Sequence, residues 1–366
     1  MSIERVIISG GGTGGHIFPA IAIANRIKKE YPKVDILFIG AEGKMEMKKV
    51  PEAGYKIEGL WISGLQRRLT VKNLTLPFKL LSSLMKARSI IKKFNPDVVI
   101  GVGGYASAPT LRIASMLKIP TIVQEQNSFP GKTNKILSKT VTKVCVAYEN
   151  LERFFPAEKI ELTGNPVRKK VVEIDGLREK GFEFFGLHSN QKTILVVGGS
   201  LGAKTLNESF VNRLKELQDK NVQLIWQCGS YQFEEMKALT AELDMNGIVL
   251  TQFINEMELA YAAADVIISR AGAIAISELC IIGKPMILVP SPNVAEDHQT
   301  KNAMALVKDE AAVLVKDNEA REKLVPRVLE LLEDDTEQKK LSENILKKAI
   351  ANADERIVNV VKSIVS

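Results

Sequence analysis

A chain of 366 residues, 45% apolar and 25% charged, has the length for two ordinary domains and the balance of a soluble globular protein. It holds no apolar run of the ~18–20 residues a membrane span needs, shows no signal-peptide pattern before its first strand-like run, and spaces Cys145, Cys228 and Cys280 as buried thiols of a reducing compartment rather than as a disulfide or metal framework. The net charge of +7 is uneven: residues 1–164 carry 25 Lys and Arg against 13 Asp and Glu, and residues 165–366 carry 25 against 30, so an anionic partner is expected on the front half alone.

Strand-like runs at 3–9, 34–39, 97–102, 120–124 and 143–147 alternate with helix-length segments, and a second series follows at 193–197, 222–227, 248–252, 265–269 and 285–289. Short β-branched runs separated by helices predict parallel sheets built from βαβ units, hence an α/β fold with two Rossmann-like domains in tandem. The turn signal Gly164-Asn165-Pro166 marks the join. The expected domains are 1–163 and 164–340, with a helical tail from about 341 to 366 packing back onto the first. No low-complexity linker separates the halves, so a ligand cleft between them is the expected site.

The first strand runs into Gly10-Gly11-Gly12-Thr13-Gly14-Gly15-His16 and then into an amphipathic helix pattern. Strand, glycine loop and helix together bring bare N–H groups and a helix N-terminus to a phosphate. Gly10-x-Gly12-x-x-Gly15 formally satisfies the dinucleotide fingerprint, yet Ile36–Ile39 runs into Gly40-Ala41 with no acid for a ribose, which argues against a nicotinamide oxidoreductase. Between Glu58 and Asp97 there is no acidic residue, while Arg67, Arg68, Lys72, Lys79, Lys86, Arg88, Lys92 and Lys93 interleave with Leu65, Leu69, Leu74, Leu76, Phe78, Leu80, Leu81, Leu84 and Met85. This composition suits an anionic membrane surface; the alternative is a core helix with a solvated lysine face. Nucleic acid is disfavoured, because the interleaved residues are aliphatic and not stacking aromatics.

Gly101–Tyr105 follows the third strand-like run and is expected to open beside the first glycine loop, making an anion site wide enough for a diphosphate. Glu125-Gln126-Asn127 ends the next run, where polar groups need partners or a ligand. Gly198-Gly199-Ser200-Leu201-Gly202-Ala203-Lys204 is a second phosphate loop with a helix dipole behind it. Ser269–Glu278 follows the strand-like run at 265–269 and places Ser277 and Glu278 one helical turn from its loop, where a carboxylate can take two ribose hydroxyls. The polar loop Ser291–Gln299 follows the last strong run. No Asp-x-Asp occurs, so a diphosphate is expected to rest on loop amides rather than on a metal ion.

Taken in order, Gly11–His16, Gly101–Tyr105, Glu125–Asn127, Gly164–Arg168, Gly198–Ala203, Ser269–Glu278 and His298–Asn302 resemble one family, the UDP-N-acetylglucosamine–N-acetylmuramyl-(pentapeptide) pyrophosphoryl-undecaprenol N-acetylglucosamine transferases of peptidoglycan synthesis. The resemblance implies a GT-B fold with the sugar nucleotide, UDP-GlcNAc, held mainly by the second domain. It implies donor contacts from Thr13, Gly14, Gly15, Asn127, Arg168, Ser200, Ile254, Ala273, Ile274, Ala275, Ile276, Ser277, Glu278 and Gln299. Within that set Glu278 takes the ribose, the Ile254 backbone the uracil and Gln299 the sugar hydroxyls. Ala275 stands where some members carry a hydroxyl residue, which implies that a diphosphate contact is absent or taken by Ser277.

The acceptor implied is undecaprenyl-pyrophosphoryl-MurNAc-pentapeptide, its diphosphate on Gly11, Gly12, Gly103, Gly104 and Tyr105. The basic apolar patch then rests on anionic lipids of the inner leaflet, on the cytoplasmic face of the cell membrane, within reach of other cell-wall synthesis proteins. No cofactor and no tightly bound metal is expected. The reaction the resemblance implies is an inverting transfer to the muramyl 4-hydroxyl, with His16 the candidate base and Glu125 the reserve. Three alternatives stay open: a glycosyltransferase with another lipid acceptor, a UDP-GlcNAc 2-epimerase, and a non-enzymatic nucleotide-binding protein.

Overall fold

The computed structural model of the protein describes residues 3–63 and 76–365. The chain divides into two compact units, Met1–Val167 with Ile350–Ser366, and Arg168–Ala349. The division falls at Val167/Arg168 rather than 163/164, and the returning segment starts at Ile350 rather than at about 341. The reason lies in the helices. Asp335–Leu346 belongs to the second unit, with Leu346 against Gly283, whereas Ala353–Val365 buries Ile357, Val358 and Val361 in the core of the first.

In the first unit, β1 (Arg5–Ser9), β2 (Asp35–Ala41), β3 (Lys56–Leu60), β4 (Val98–Gly101), β5 (Thr121–Glu125), β6 (Lys143–Val146) and β7 (Ile160–Leu162) form one parallel sheet. Its order is β3-β2-β1-β4-β5-β6-β7. Alternate residues of each strand enter two different cores: Val6, Ile8, Val98 and Ile100 pack under the Gly14–Glu30 helix, and Ile7, Val99 and Val123 under the Ser107–Met116 helix. Both faces are covered, which is why the strands read as continuous apolar runs.

In the second unit, β8 (Lys192–Val197), β9 (Val222–Gln227), β10 (Ile248–Thr251), β11 (Val266–Ser269), β12 (Met286–Leu288) and β13 (Val313–Leu314) pair in parallel in the order β10-β9-β8-β11-β12-β13. Trp226, Phe210 and Leu206 fill one face. The three strands absent from the sequence reading, β3, β7 and β13, are all sheet edges.

Each sheet reverses its winding once, between β1 and β4 and between β8 and β11. In open α/β sheets ligands bind outside the strand carboxyl ends at that reversal. The four loops that leave those four strands are the glycine-bearing loops singled out above. All three cysteines are buried and unpaired, and burial pushes the Cys145, Cys228 and Cys280 thiols up to about 12, 11 and 12 respectively.

Candidate active site

In the first unit the loop after β1 and the loop after β4 lock together through backbone. Val102 N donates to Ser9 O at 2.9 Å and Gly11 N to Gly103 O at 3.3 Å. Gly104, at φ +87°, lies so close that a Cβ there would sit 2.4 Å from Gly11 O, so only glycine fits. The Ser107 hydroxyl bridges the two loops, donating to Ser9 O at 2.7 Å and Gly103 O at 2.9 Å. Tyr105 stands half exposed beside them.

This lock decides which amides remain for an anion. Gly11 N is taken by Gly103 O, and Gly12 N by a carboxylate oxygen of Glu46 at 2.8 Å. The N–H groups of Gly11 and Gly12, expected at the acceptor's diphosphate, are engaged within the protein. Among the described residues, no acceptor meets the N–H groups of Thr13, Gly14 and Gly15, at the start of the Gly14–Glu30 helix, or those of Gly103, Gly104 and Tyr105. The helix has no side-chain cap and no acid in its first turn, leaving its positive end open to an anion.

His16 sits on the first turn of that helix, half buried, its ring packed against Gly103. Its Nδ1 lies 3.0 Å from Gly11 O and 3.4 Å from the Thr13 hydroxyl. A carbonyl only accepts, so Nδ1 carries the proton of the neutral ring and Nε2 carries the lone pair.

Glu125, at the end of β5, is 2% exposed. It accepts from Asn127 N at 3.0 Å, Asn127 Nδ2 at 3.1 Å, Gly131 N at 3.2 Å and Asn134 Nδ2 at 2.8 Å. Burial pushes its carboxyl above the usual range, against those four bonds. A carboxylate so enclosed holds the Asn127–Gly131 turn in place and orients Asn127. Gln126 ties the same turn to the β4 loop by donating to Val102 O at 2.7 Å.

In the second unit the loop after β8 leads into the Lys204–Val211 helix, again with no side-chain cap and no acid in its first turn. The carbonyls of Ser200 and Leu201 turn away to accept from Ser230 N at 3.1 Å and Tyr231 N at 3.3 Å. The amides of Ser200, Leu201, Ala203 and Lys204 meet no acceptor among the described residues. The third such start is the Ala273–Ile282 helix after β11, with Gly272 before it. Ala273, Ile274 and Ala275 are half exposed on its first turn, Ile276 is buried, and the Ser277 hydroxyl donates back to Ala273 O at 3.0 Å.

Glu278 is 5% exposed, and burial pushes its carboxyl up while Arg168 and the Tyr261 hydroxyl pull it down. Arg168 donates to Glu278 Oε1 from Nε and Nη2 at 3.4 and 3.3 Å. Tyr261, missed in the sequence, is buried and bonded to the same carboxylate, which with burial raises its own pKa. Gln299, at the start of the His298–Val307 helix, accepts from Ser291 N at 2.8 Å. Glu296 and Asp297 before it take left-handed φ of 54° and 52°, a strained approach to this turn. Ile254 is buried in the loop after β10, on the same carboxyl edge of the sheet. Arg270, inside the Ser269–Glu278 motif, braces the loops instead: it donates to Val289 O at 3.0 Å and Asp317 Oδ1 at 2.5 Å.

Each unit thus presents bare amides at two strand–helix junctions, with a half-buried histidine in the first and a buried carboxylate in the second. Residues 6–146 match the glycosyltransferase family 28 N-terminal domain, and residues 193–357 the glycosyltransferase family 28 C-terminal domain. The chain is 53% identical over 362 residues to the UDP-N-acetylglucosamine–N-acetylmuramyl-(pentapeptide) pyrophosphoryl-undecaprenol N-acetylglucosamine transferase of Christiangramia forsetii, covering 99% of this chain and 98% of the relative. The crystal structure of Acinetobacter baumannii MurG superposes with a TM-score of 0.80 at 29% identity, over 98% of this chain and 99% of that one. A UDP-GlcNAc 2-epimerase of Neisseria meningitidis bound to UDP-GlcNAc shares the fold alone, with a TM-score of 0.67 at 14% identity over 99% and 100% of the two chains. With two parallel sheets in separate Rossmann-like units and this full-length similarity, the chain belongs to the UDP-N-acetylglucosamine–N-acetylmuramyl-(pentapeptide) pyrophosphoryl-undecaprenol N-acetylglucosamine transferases, glycosyltransferases of the GT-B fold.

Proposed function

We propose that this chain moves GlcNAc from UDP-GlcNAc to the muramyl 4-hydroxyl of undecaprenyl-pyrophosphoryl-MurNAc-pentapeptide, with inversion, and that His16 Nε2 takes the hydroxyl proton. The observation that carries the reading is the His16 ring, held by its Nδ1–H on Gly11 O beside the bare amides of Thr13–Gly15. Gly103, Gly104 and Tyr105 suit the acceptor's diphosphate, and the Thr13–Gly15 amides beside them, which the resemblance gives to the donor, are open to either diphosphate. In the second unit the amides of Ser200–Lys204 and the Ala273–Ile282 helix start suit the UDP diphosphate, where leaving-group charge builds. Glu278 suits the ribose hydroxyls, Gln299 the sugar, the Ile254 backbone the uracil, and Asn127 is held for the donor by Glu125.

Charge on the leaving diphosphate is then met by preorganised N–H donors already in place, without a divalent ion. With purified protein and both substrates, initial rates in excess chelator are expected to equal those in magnesium. A rate abolished by chelator and restored by magnesium contradicts this part of the reading.

The Leu76–Phe94 helix supports a membrane-bound acceptor. Ser83, Ala87 and Ile91 are fully buried on one side, whereas Phe78 (72% exposed), Leu81 and Met85 share another at spacings of three and four. Lys79 lies 5.4 Å from the Trp61 ring centre and bonds Ser63, keeping charge at the edge of the patch. Arg67, Arg68, Lys72, Leu65, Leu69 and Leu74 lie outside the described residues. No helix among the described residues is long and apolar enough to cross a membrane, so attachment at the surface is the mode proposed. The protein is expected to float with phosphatidylglycerol-containing vesicles and not with pure phosphatidylcholine. The triple variant Phe78→Ser, Leu81→Ser, Met85→Ser is expected to stay in the pellet; flotation equal to wild type counts against the patch.

A further inference from the structure

Glu46 opens the Glu46–Glu52 helix yet is only 1% exposed, a rare placement for an acid. Its two oxygens divide between two backbone donors: Oε1 accepts from Ala41 N at 3.0 Å, at the end of β2, and Oε2 from Gly12 N at 2.8 Å. The carboxyl group presses on Gly11, where a Cβ would sit 2.2 Å from it. Gly12 N–H belongs to the same planar peptide unit as Gly11 C=O. In a trans peptide the two point in opposite directions. The N–H end is held by Glu46, and the C=O end accepts from His16 Nδ1 at 3.0 Å. A carboxylate on the N–H also polarises the peptide and strengthens its carbonyl as an acceptor.

We propose that Glu46 is the positioning residue for His16: through the single Gly11–Gly12 peptide it fixes the imidazole as the Nδ1–H tautomer, with the lone pair that accepts the proton on Nε2. Its consequence for turnover rests on the reading of His16 as the base; the tautomer itself does not. Without the clamp the peptide plane is free to rotate, since both of its residues are glycines with positive φ, at +150° and +86°. The neutral ring then reverts toward the Nε2–H form that a solvated imidazole favours, which cannot accept a proton at Nε2. The same rotation loosens the start of the helix that presents the Thr13–Gly15 amides.

The test uses long-range proton–nitrogen NMR on labelled full-length protein, which has three histidines, His16 being assigned by its loss in His16→Gln. Wild-type His16 is expected as the Nδ1–H tautomer. In Glu46→Ala, and in Glu46→Leu, which keeps the buried volume, it is expected to shift toward Nε2–H. In the same variants kcat is expected to fall by about tenfold to 10²-fold, the cost of a misplaced catalytic group, with KM for UDP-GlcNAc unchanged. Proton on Nε2 in wild type, or an unchanged Nδ1–H tautomer in a folded Glu46 variant, overturns the proposal. A shifted tautomer with undiminished kcat upholds the Glu46–His16 link and refutes His16 as the base, so the two claims fail separately.

Discussion

The His16→Ala protein is expected to fold normally and to lose about 10²–10⁴-fold in kcat, with KM for UDP-GlcNAc little changed. The ring is half buried and lies on the first helical turn, so its removal empties no core position. What it removes is an imidazole already in the right tautomer through Gly11 O. Bare amides and the helix end remain, so residual transfer above the uncatalysed rate should persist. Initial rates at saturating donor and acceptor decide the matter. A loss of less than about tenfold removes the base from the mechanism and leaves His16 as a ring that shapes the Gly103 loop.

Glu278→Ala should act on the donor instead. A buried carboxylate accepting two ribose hydroxyls contributes about 1.5–3 kcal/mol per bond, so KM for UDP-GlcNAc is expected to rise by about 10²-fold or more. Discrimination against the 2′-deoxyribose donor should shrink in step, because the group that reads the hydroxyls is gone. Glu278→Gln keeps an acceptor for Tyr261 and separates loss of charge from loss of packing. The pH dependence has a defined sign. Burial holds the Glu278 carboxyl above the usual range, so acidification neutralises it early, and KM for UDP-GlcNAc should climb as pH falls through that raised pKa. In Glu278→Ala this climb should vanish. Unchanged donor discrimination in the alanine variant would assign the ribose to another group.

The central strands were legible because both of their faces are buried, and a run such as Val98-Val99-Ile100 carries that in its composition. The edge strands β3, β7 and β13 were not. Lys56-Ile57-Glu58 alternates with solvent, while Ile160–Leu162 and Val313–Leu314 are too short for a period to show, and each is fixed by one neighbour only. The glycine loops were legible as loops, since their density has few other uses. Which of their amides stay open was not, because that depends on partners far along the chain: Gly103 for Gly11 and Glu46 for Gly12. Glu46 itself reads as an ordinary acid at a helix start, and only the packing of β2 against the glycine loop turns it inward. Glu125 shows the converse. Its type suggested proton transfer, and four hydrogen bonds from the following turn give it a holding task.

The measurement that bears most directly on the account follows label from radiolabelled UDP-GlcNAc in the presence of undecaprenyl-pyrophosphoryl-MurNAc-pentapeptide. Label is expected in the lipid fraction, in proportion to protein and time, with one UDP released per sugar transferred. Release of UDP with label only in free sugar, or label recovered as ManNAc, would contradict it.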